Sequence, residues 1–275
     1  MATKGFKKVS VLAVLLLSVL ALAVALYVLR QRPPEPPQPP APLPEKLPPV
    51  VEKKPSARIA IVIDDMGYDM KPLEELLKLK APITIAVLPH LTYSRKIAER
   101  AHLEGIEVIL HLPMEPKNTK RHNPGEGALY TSMDEKEIRL RLEADLDAVP
   151  YITGVNNHMG SRFTEDAEKM KPVLMVLKEK GLFFVDSKTT GRSVAEGLAK
   201  SMGLAVASRD VFLDNERDRD YIRGQIEKLK TIAKKRGEAI GIGHPYPETI
   251  ATLKEVIVEL QNDGIELVRV SELTR

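Results

Sequence analysis

The feature that most constrains this chain is an alternation running through residues 57–275. Short apolar runs rich in Val and Ile recur, and segments with helical spacing of apolar residues separate them. Such runs are expected of strands covered on both faces, and the alternation predicts a parallel sheet built from βα units. The pattern predicts strands over Arg58–Ile63, Ile83–Leu88, Ile106–Leu110, Ile152–Asn157, Leu182–Val185, Leu204–Val206, Ala239–Ile242 and Ile265–Val268. It predicts helices over Lys71–Lys80, Ser94–Leu103, Asp134–Val149, Glu165–Lys180, Arg217–Arg236 and Pro247–Asp263. Gly105, Gly181, Gly237 and Gly264 follow several of these as stop signals. The expected class is α/β, with units of barrel length; a doubly wound open sheet is the competing architecture. No G-x-G-x-x-G follows the first strand, which argues against a dinucleotide-binding domain.

The first 56 residues do not share this pattern. Residues 9–29, VSVLAVLLLSVLALAVALYVL, carry no charge over 21 positions, long enough to cross a bilayer as a helix. Lys4, Lys7 and Lys8 precede the run, which places residues 1–8 in the cytoplasm. A cleaved signal peptide is the alternative, but its apolar region is normally shorter. Residues 30–56 form a linker, and the stretch from 33 to 55 holds eleven of the chain's 21 prolines. Proline removes backbone donors and fixes φ, so this segment predicts an extended spacer, on the order of 70 Å long at ~3.1 Å per residue. The expected arrangement is a globular domain, 57–275, tethered to the inner membrane and lying in the periplasm or otherwise outside the cytoplasm.

Composition narrows the chemistry. The absence of cysteine excludes disulfides, thiolate metal sites and a cysteine nucleophile. The net charge of +3, without a basic stripe interleaved with aromatics, argues against nucleic acid as a partner. Any metal site must use His, Asp, Glu and water.

In α/β folds chemistry collects at the carboxyl ends of strands. Asp64 and Asp65 follow the first predicted strand, Pro89 and His90 the second, and HLPMEP, with His111 and Glu115, the third. NNHMGS follows the fourth, with Asn156, Asn157, His158 and Ser161; DSKTT follows the fifth, with Asp186, Ser187 and Thr189; GHPYP follows the strand at 239–242, with His244. One such Asp or His is ordinarily a turn-maker or a packed loop residue; their convergence on one rim predicts a site. Two imidazoles and a carboxylate suit zinc or another divalent metal, and a second carboxylate and a further histidine suit acid–base work. No G-x-S-x-G elbow and no phosphate-cradling P-loop occurs.

Taken in order, IDDMG, HLPMEP, NNHMGS, VDSKTT, SRDVFLDN and GHPYPET resemble the divergent polysaccharide deacetylases, distant relatives of the NodB-type carbohydrate deacetylases, over about residues 57–271. The resemblance implies a distorted (β/α) barrel of about seven strands and a metal-dependent deacetylase ancestry. It implies that Asp64 is the general base, that Asp65 and His111 bind metal, and that His244 is the acid. The usual relative has a second histidine four residues after the first, where this chain has Glu115. His158 is therefore expected to supply the missing imidazole, with Glu115 as the alternative ligand. Arg209 or Arg162 is expected to replace the arginine that normally pairs with the base, and Asp186 to orient His244 or touch substrate. Asn157, Ser161 and Ser187 are expected around the site.

The resulting expectation is a zinc-dependent deacetylase acting on peptidoglycan or another envelope polysaccharide. The loop Lys117–Thr131 is long enough to cover the site. Two rivals remain at this stage: a glycan-binding or scaffold module that has lost catalysis, and a glycosidase pairing Asp64 or Asp65 with Asp186. Consecutive strand residues point to opposite faces, so Asp64 and Asp65 can share a pocket only if the chain bends between them, with Gly67 as the expected aid.

Overall fold

The computed structural model describes residues 11–31 and 57–275, and the chain divides into two compact units, Met1–Val51 and Glu52–Arg275. In the first unit Val11–Arg30 form a helix, α1. Its described side chains begin at Val14 and are exposed. Among the described residues no helix is long and apolar enough to cross a membrane. Residues 1–8 and the proline-rich stretch 33–55 lie outside the described residues.

In the second unit strands and helices alternate as β1 (Ala57–Met66), α2 (Lys71–Leu77), β2 (Thr84–Val87), α3 (Ser94–Leu103), β3 (Glu107–Met114) and α4 (Glu135–Ala148). They continue as β4 (Ile152–Met159), α5 (Ala167–Glu179), β5 (Phe183–Asp186), α6 (Ala195–Ser201), β6 (Val206–Ser208) and β7 (Val211–Phe212). Then come α7 (Arg219–Arg236), β8 (Glu238–Gly243), α8 (Pro247–Asn262) and β9 (Ile265–Val268). Local chemistry sets several ends. Asp134 and Glu137 close a reciprocal capping box on α4, Asp166 and Asp218 cap α5 and α7, and left-handed Gly237 ends α7. The sequence pattern did not mark α6 or the two-residue β7.

All the strand pairs are parallel, in the order β6-β5-β4-β3-β2-β1-β8-β7. β9 adds to the amino-terminal half of β1, and β2 to its carboxyl-terminal half. β6 and β7 are successive segments of one extended run, interrupted only at Arg209 and Asp210; the first pairs with β5 and the second with β8, so this run bridges the two ends of the curled sheet. The fold is a distorted (β/α) barrel, bridged between β5 and β8 by the interrupted β6–β7 run. It has nine strands among the described residues where about seven were expected. Eight of the nine were marked by the sequence pattern, β9 at Ile265–Val268 among them; β7 is too short to read from periodicity.

Strand alternation divides the core. On β1, Ile59, Ile61 and Ile63 join the large cluster under the helices, while Ala60 and Val62 join a smaller one with Ala86, Ile109, Val185, Ile240 and Ile242. The second cluster fills the barrel interior, together with Val270 and Leu273 from the C-terminal 3-10 turn. Above it, the same inward parity continues to Asp64 on β1, His111 on β3, Asn156 and His158 on β4, and His244 just past β8. The apolar interior is thus the floor under a polar mouth.

Candidate metal and acid–base site

Asp65 has the wrong parity for this mouth and reaches it through a local break. The β1–β2 register slips by one residue between Ile63 and Met66, and Asp65 sits at φ 55 in the left-handed region. That conformation costs a non-glycine residue roughly 1–2 kcal/mol. The bend is therefore made at Asp65 itself. Gly67, at φ 139, lets the chain pass Leu91 and Ser94, where a side chain would collide.

The break brings Asp65 Oδ1 to 3.0 Å from His158 Nδ1 and 3.2 Å from His111 Nε2. The two ring nitrogens are 3.0 Å apart. Three donor atoms therefore form a small triangle, and Asp65 Oδ1 is buried without a hydrogen-bond partner. A buried, unpaired carboxylate oxygen costs about 1–3 kcal/mol or more. Ligand atoms held tetrahedrally ~2.0–2.1 Å from zinc lie about 3.3 Å from one another, close to these separations. The residues fit a divalent cation on both counts.

Two features prepare the donors. Asn156 donates from Nδ2 to Asp64 Oδ1 at 2.7 Å, which turns its Oδ1 towards His111 Nδ1 at 2.8 Å. His111 must then donate from Nδ1, leaving the Nε2 lone pair facing the triangle. Burial pulls the Asp65 carboxyl up, but the two adjacent imidazoles outweigh it and hold the group well below the usual carboxylate range. Burial likewise pulls His111 down, and Asp64 and Asp65 reverse this, so the pocket attracts positive charge.

Asp64 is buried behind this triangle, with Oδ2 3.6 Å from His111 Nε2. Burial dominates its titration and raises it above the ordinary value, against the opposing pull of His111 and His244. A raised carboxyl is a better proton acceptor in its ionised form than an ordinary one.

His244 faces Asp64 and Asp65 from the opposite side, its Nε2 3.9 Å from Asp65 Oδ2. Its orientation comes from Asp214, a residue the sequence reasoning missed. Asp214 Oδ1 accepts from His244 Nδ1 at 2.8 Å, while Oδ2 accepts from the His244 amide at 2.6 Å and from Thr249 Oγ1 at 2.7 Å. Burial lowers the His244 pKa, but the Asp214 bond and charge, with Asp64 and Asp65 behind them, push it up to about 9. The Asp214 carboxylate thus favours the charged form of the His244 imidazole.

The other expected residues surround this centre in different roles. Asp186 does not reach His244. It follows Phe184 in outward parity on β5 and accepts from the Lys188 amide and from Ser193 Oγ at 2.8 and 2.7 Å, holding the loop before α6. The expected contact with His244 is made by Asp214, and Asp186 takes the outward parity of β5 while Asp64 takes the inward parity of β1. Glu115 stands outside the triangle: Oε2 accepts from the Thr131 amide and hydroxyl at 2.7 and 2.6 Å, and Oε1 pairs with Arg162 at 3.4 Å. Asn157 ties β4 to β5 by accepting from the Ser187 amide at 2.9 Å and donating to the Met159 carbonyl at 2.8 Å. Ser187 Oγ accepts from Asn156 Nδ2 at 3.3 Å, and Ser161 Oγ accepts from the Lys117 amide at 3.0 Å.

Neither candidate arginine touches Asp64. Arg209 donates to the carbonyls of Ser187 and Lys188 at 2.7 and 2.9 Å, and Asn156 takes the place beside the base. His90 bonds Asp145 on α4 at 2.7 Å, away from the triangle. The loop 117–131 is pinned rather than free, since Leu129 bridges Met114 and Thr131 is clamped by Glu115.

Comparison with known proteins agrees with this architecture. Residues 61–274 match the model of a family described as divergent polysaccharide deacetylase. The uncharacterized protein YibQ of Escherichia coli is 36% identical over 218 residues, covering 79% of this chain and 67% of that protein. An uncharacterized protein of Haemophilus influenzae is 35% identical over 219 residues, covering 80% and 77% of the two chains. The crystal structure of an uncharacterized protein from Agrobacterium tumefaciens superposes with a TM-score of 0.76 at 29% identity, covering 79% of this chain and 89% of that one. The chain belongs to the divergent polysaccharide deacetylase family.

Proposed function

We propose that the chain is a metal-dependent hydrolase that removes acetyl groups from an envelope glycan, peptidoglycan or a related polysaccharide. The observation that carries this reading is the buried, unpartnered Asp65 Oδ1 facing two imidazole nitrogens within 3.2 Å, with Asp64 and His244 on either side. Asp65, His111 and His158 would hold the cation, and the two-nitrogen, one-oxygen donor set favours zinc. Once bound, such an ion polarises the acyl carbonyl and makes water more acidic.

The chain's own groups supply the proton transfers. Asp64 takes a proton from the attacking water as its oxygen bonds to the acetyl carbon. Asn156 keeps that carboxylate aimed into the mouth. His244 gives its Nε2 proton to the departing amine nitrogen, or to the alcohol oxygen of an ester, as the bond to the acetyl carbon breaks. Asp214 fixes the ring and favours the charged imidazolium that must donate. Acetate and the deacetylated sugar leave, and the proton on Asp64 returns to solvent or to His244.

The uncharged apolar run at 9–29 is the sequence feature behind an attachment to the inner membrane with the globular unit in the periplasm. That placement would put an envelope glycan within reach. The test is acetate release from acetylated glycans with zinc or another divalent metal supplied, comparing wild type with Asp64→Asn. Loss of a general base should lower the rate about 10²–10⁴-fold. Absence of release by the wild type with every divalent metal would sink the catalytic reading.

A further inference from the structure

His244 lies beyond the part of β8 that the sheet holds. The β1–β8 pairing ends at Gly243, so sheet hydrogen bonds do not set the direction of the imidazole. Asp214 fixes two points, the His244 amide and Nδ1. A ring held at one nitrogen can still swing about that contact, and the swing carries Nε2 with it.

Two aromatic rings limit that motion. The Phe212 ring lies 19° from the imidazole plane with 6.4 Å between centroids, and the Tyr246 ring lies 26° from it with 5.4 Å. Both separations fall in the ~4.5–7 Å range of offset-stacked pairs. Among the described residues the Tyr246 hydroxyl has no hydrogen-bond partner, so the ring face makes the contact.

Each ring is itself held. Phe212 packs on the apolar interior of the barrel, and the Arg209 guanidinium lies 3.7 Å from its centroid. Arg209 is fixed in turn by the carbonyls of Ser187 and Lys188. Tyr246 stands between Pro245 and Pro247, which restrict the backbone on both sides and leave Tyr246 extended at φ -73 and ψ 145. The Arg217 guanidinium lies 3.8 Å from the Tyr246 centroid. Both distances are well inside the ~6 Å reach of a cation–π contact. The chain of contacts therefore runs Arg209, Phe212, His244, Tyr246, Arg217. Core packing does not account for it, because Tyr246 joins neither apolar cluster and Phe212 is only half-buried against one.

We infer that Phe212 and Tyr246 are positioning residues for the proton donor: they hold the His244 ring so that Nε2 faces the departing atom, and Arg209 and Arg217 hold the two rings. This rests on the deacetylase reading, in which His244 gives its Nε2 proton. It gives Arg209 a role in place of the expected contact with Asp64. Misplacement of a reacting group by about 1 Å costs on the order of 10²-fold in rate. A wall that only binds substrate would act on KM instead.

The test uses full-length Tyr246→Leu, Phe212→Leu and Tyr246→Phe in two measurements. The first is kcat and KM for acetate release from an N-acetylglucosamine oligomer and from 4-nitrophenyl acetate, with zinc supplied. An amine must be protonated to leave, whereas 4-nitrophenolate leaves without a proton. On the oligomer both leucine variants should lose at least about 10-fold in kcat with KM held within about 3-fold. On the ester they should change by under about 3-fold, and Tyr246→Phe should match wild type on both. The second measurement is the NMR signal of the His244 ring in histidine-labelled protein without substrate, identified by its absence in His244→Gln. It should be single and narrow in wild type and Tyr246→Phe, and broadened or split in the leucine variants. An unchanged kcat on the oligomer, a loss confined to KM, equal losses on both substrates, or a single narrow signal in both leucine variants would each overturn the positioning role. If the ring signal responds as expected while the wild type releases no acetate, the positioning stands and the hydrolase reading fails.

Discussion

Replacing Asp145 by Asn should change the pH dependence of stability more than stability itself at low pH. Asp145 is fully buried on α4, bonded through Oδ1 to His90, and its Oδ2 has no partner. Burial raises its pKa, and His90 and Arg141 only partly offset this against the further push of Glu126, leaving it at about 7. The ordinary value is 3.8. Between those two values the native protein keeps a proton that the unfolded chain has released. Stability from this group therefore falls as pH rises from 3.8 to about 7, and is flat above. At 1.36 kcal/mol per pH unit the full difference is ~4 kcal/mol, of which ~3 kcal/mol falls between pH 5 and 7. Asn cannot ionise, and its Oδ1 can still accept from His90. Denaturant unfolding of wild type and Asp145→Asn should give similar stabilities near pH 4, with the variant gaining steadily towards pH 7. Stability curves that run parallel from pH 5 to 8 would refute the reasoning.

The other predictions concern the groups around the site. Asp214→Asn should move the alkaline limb of the pH–rate profile down from about 9 towards the ordinary imidazole range, because burial remains while the balancing carboxylate is gone. Asn156→Ala removes the acceptor of His111 Nδ1 and the donor to Asp64, and should weaken metal affinity about 10–100-fold by competitive chelator titration. Gly127→Ala should lower the melting temperature. Its Cβ would overlap the buried Asp145 carboxyl, and its φ of 81 disfavours any side chain, so the cost should exceed ~1 kcal/mol.

Much of this was legible in the sequence, for a definite reason. The inward positions of β1, β3, β4 and β8 alternate with period two, so Asp64, His111, His158 and His244 could be placed on one rim from spacing alone. The same alternation carried a warning about Asp186: it shares parity with Phe184, which packs under the helices, and not with Val185, which faces the interior. Asp65 could not be placed by parity, because its position depends on a one-residue register slip and a left-handed backbone that no spacing encodes. Asp214 was visible in SRDVFLDN but unassigned. It follows β7, a two-residue strand too short to read, so its place next to His244 emerged only from the β7–β8 pairing. Glu115 had the right spacing from His111 to be a ligand, but Thr131 and Arg162 take its oxygens.

The central claim is that Asp65, His111 and His158 form the metal site. Elemental analysis of the purified protein after loading with zinc and removal of free metal tests it most directly, with His158→Ala and Glu115→Gln alongside. The account predicts about one equivalent in wild type and Glu115→Gln, and a marked loss in His158→Ala. Full occupancy in His158→Ala with loss in Glu115→Gln would contradict it.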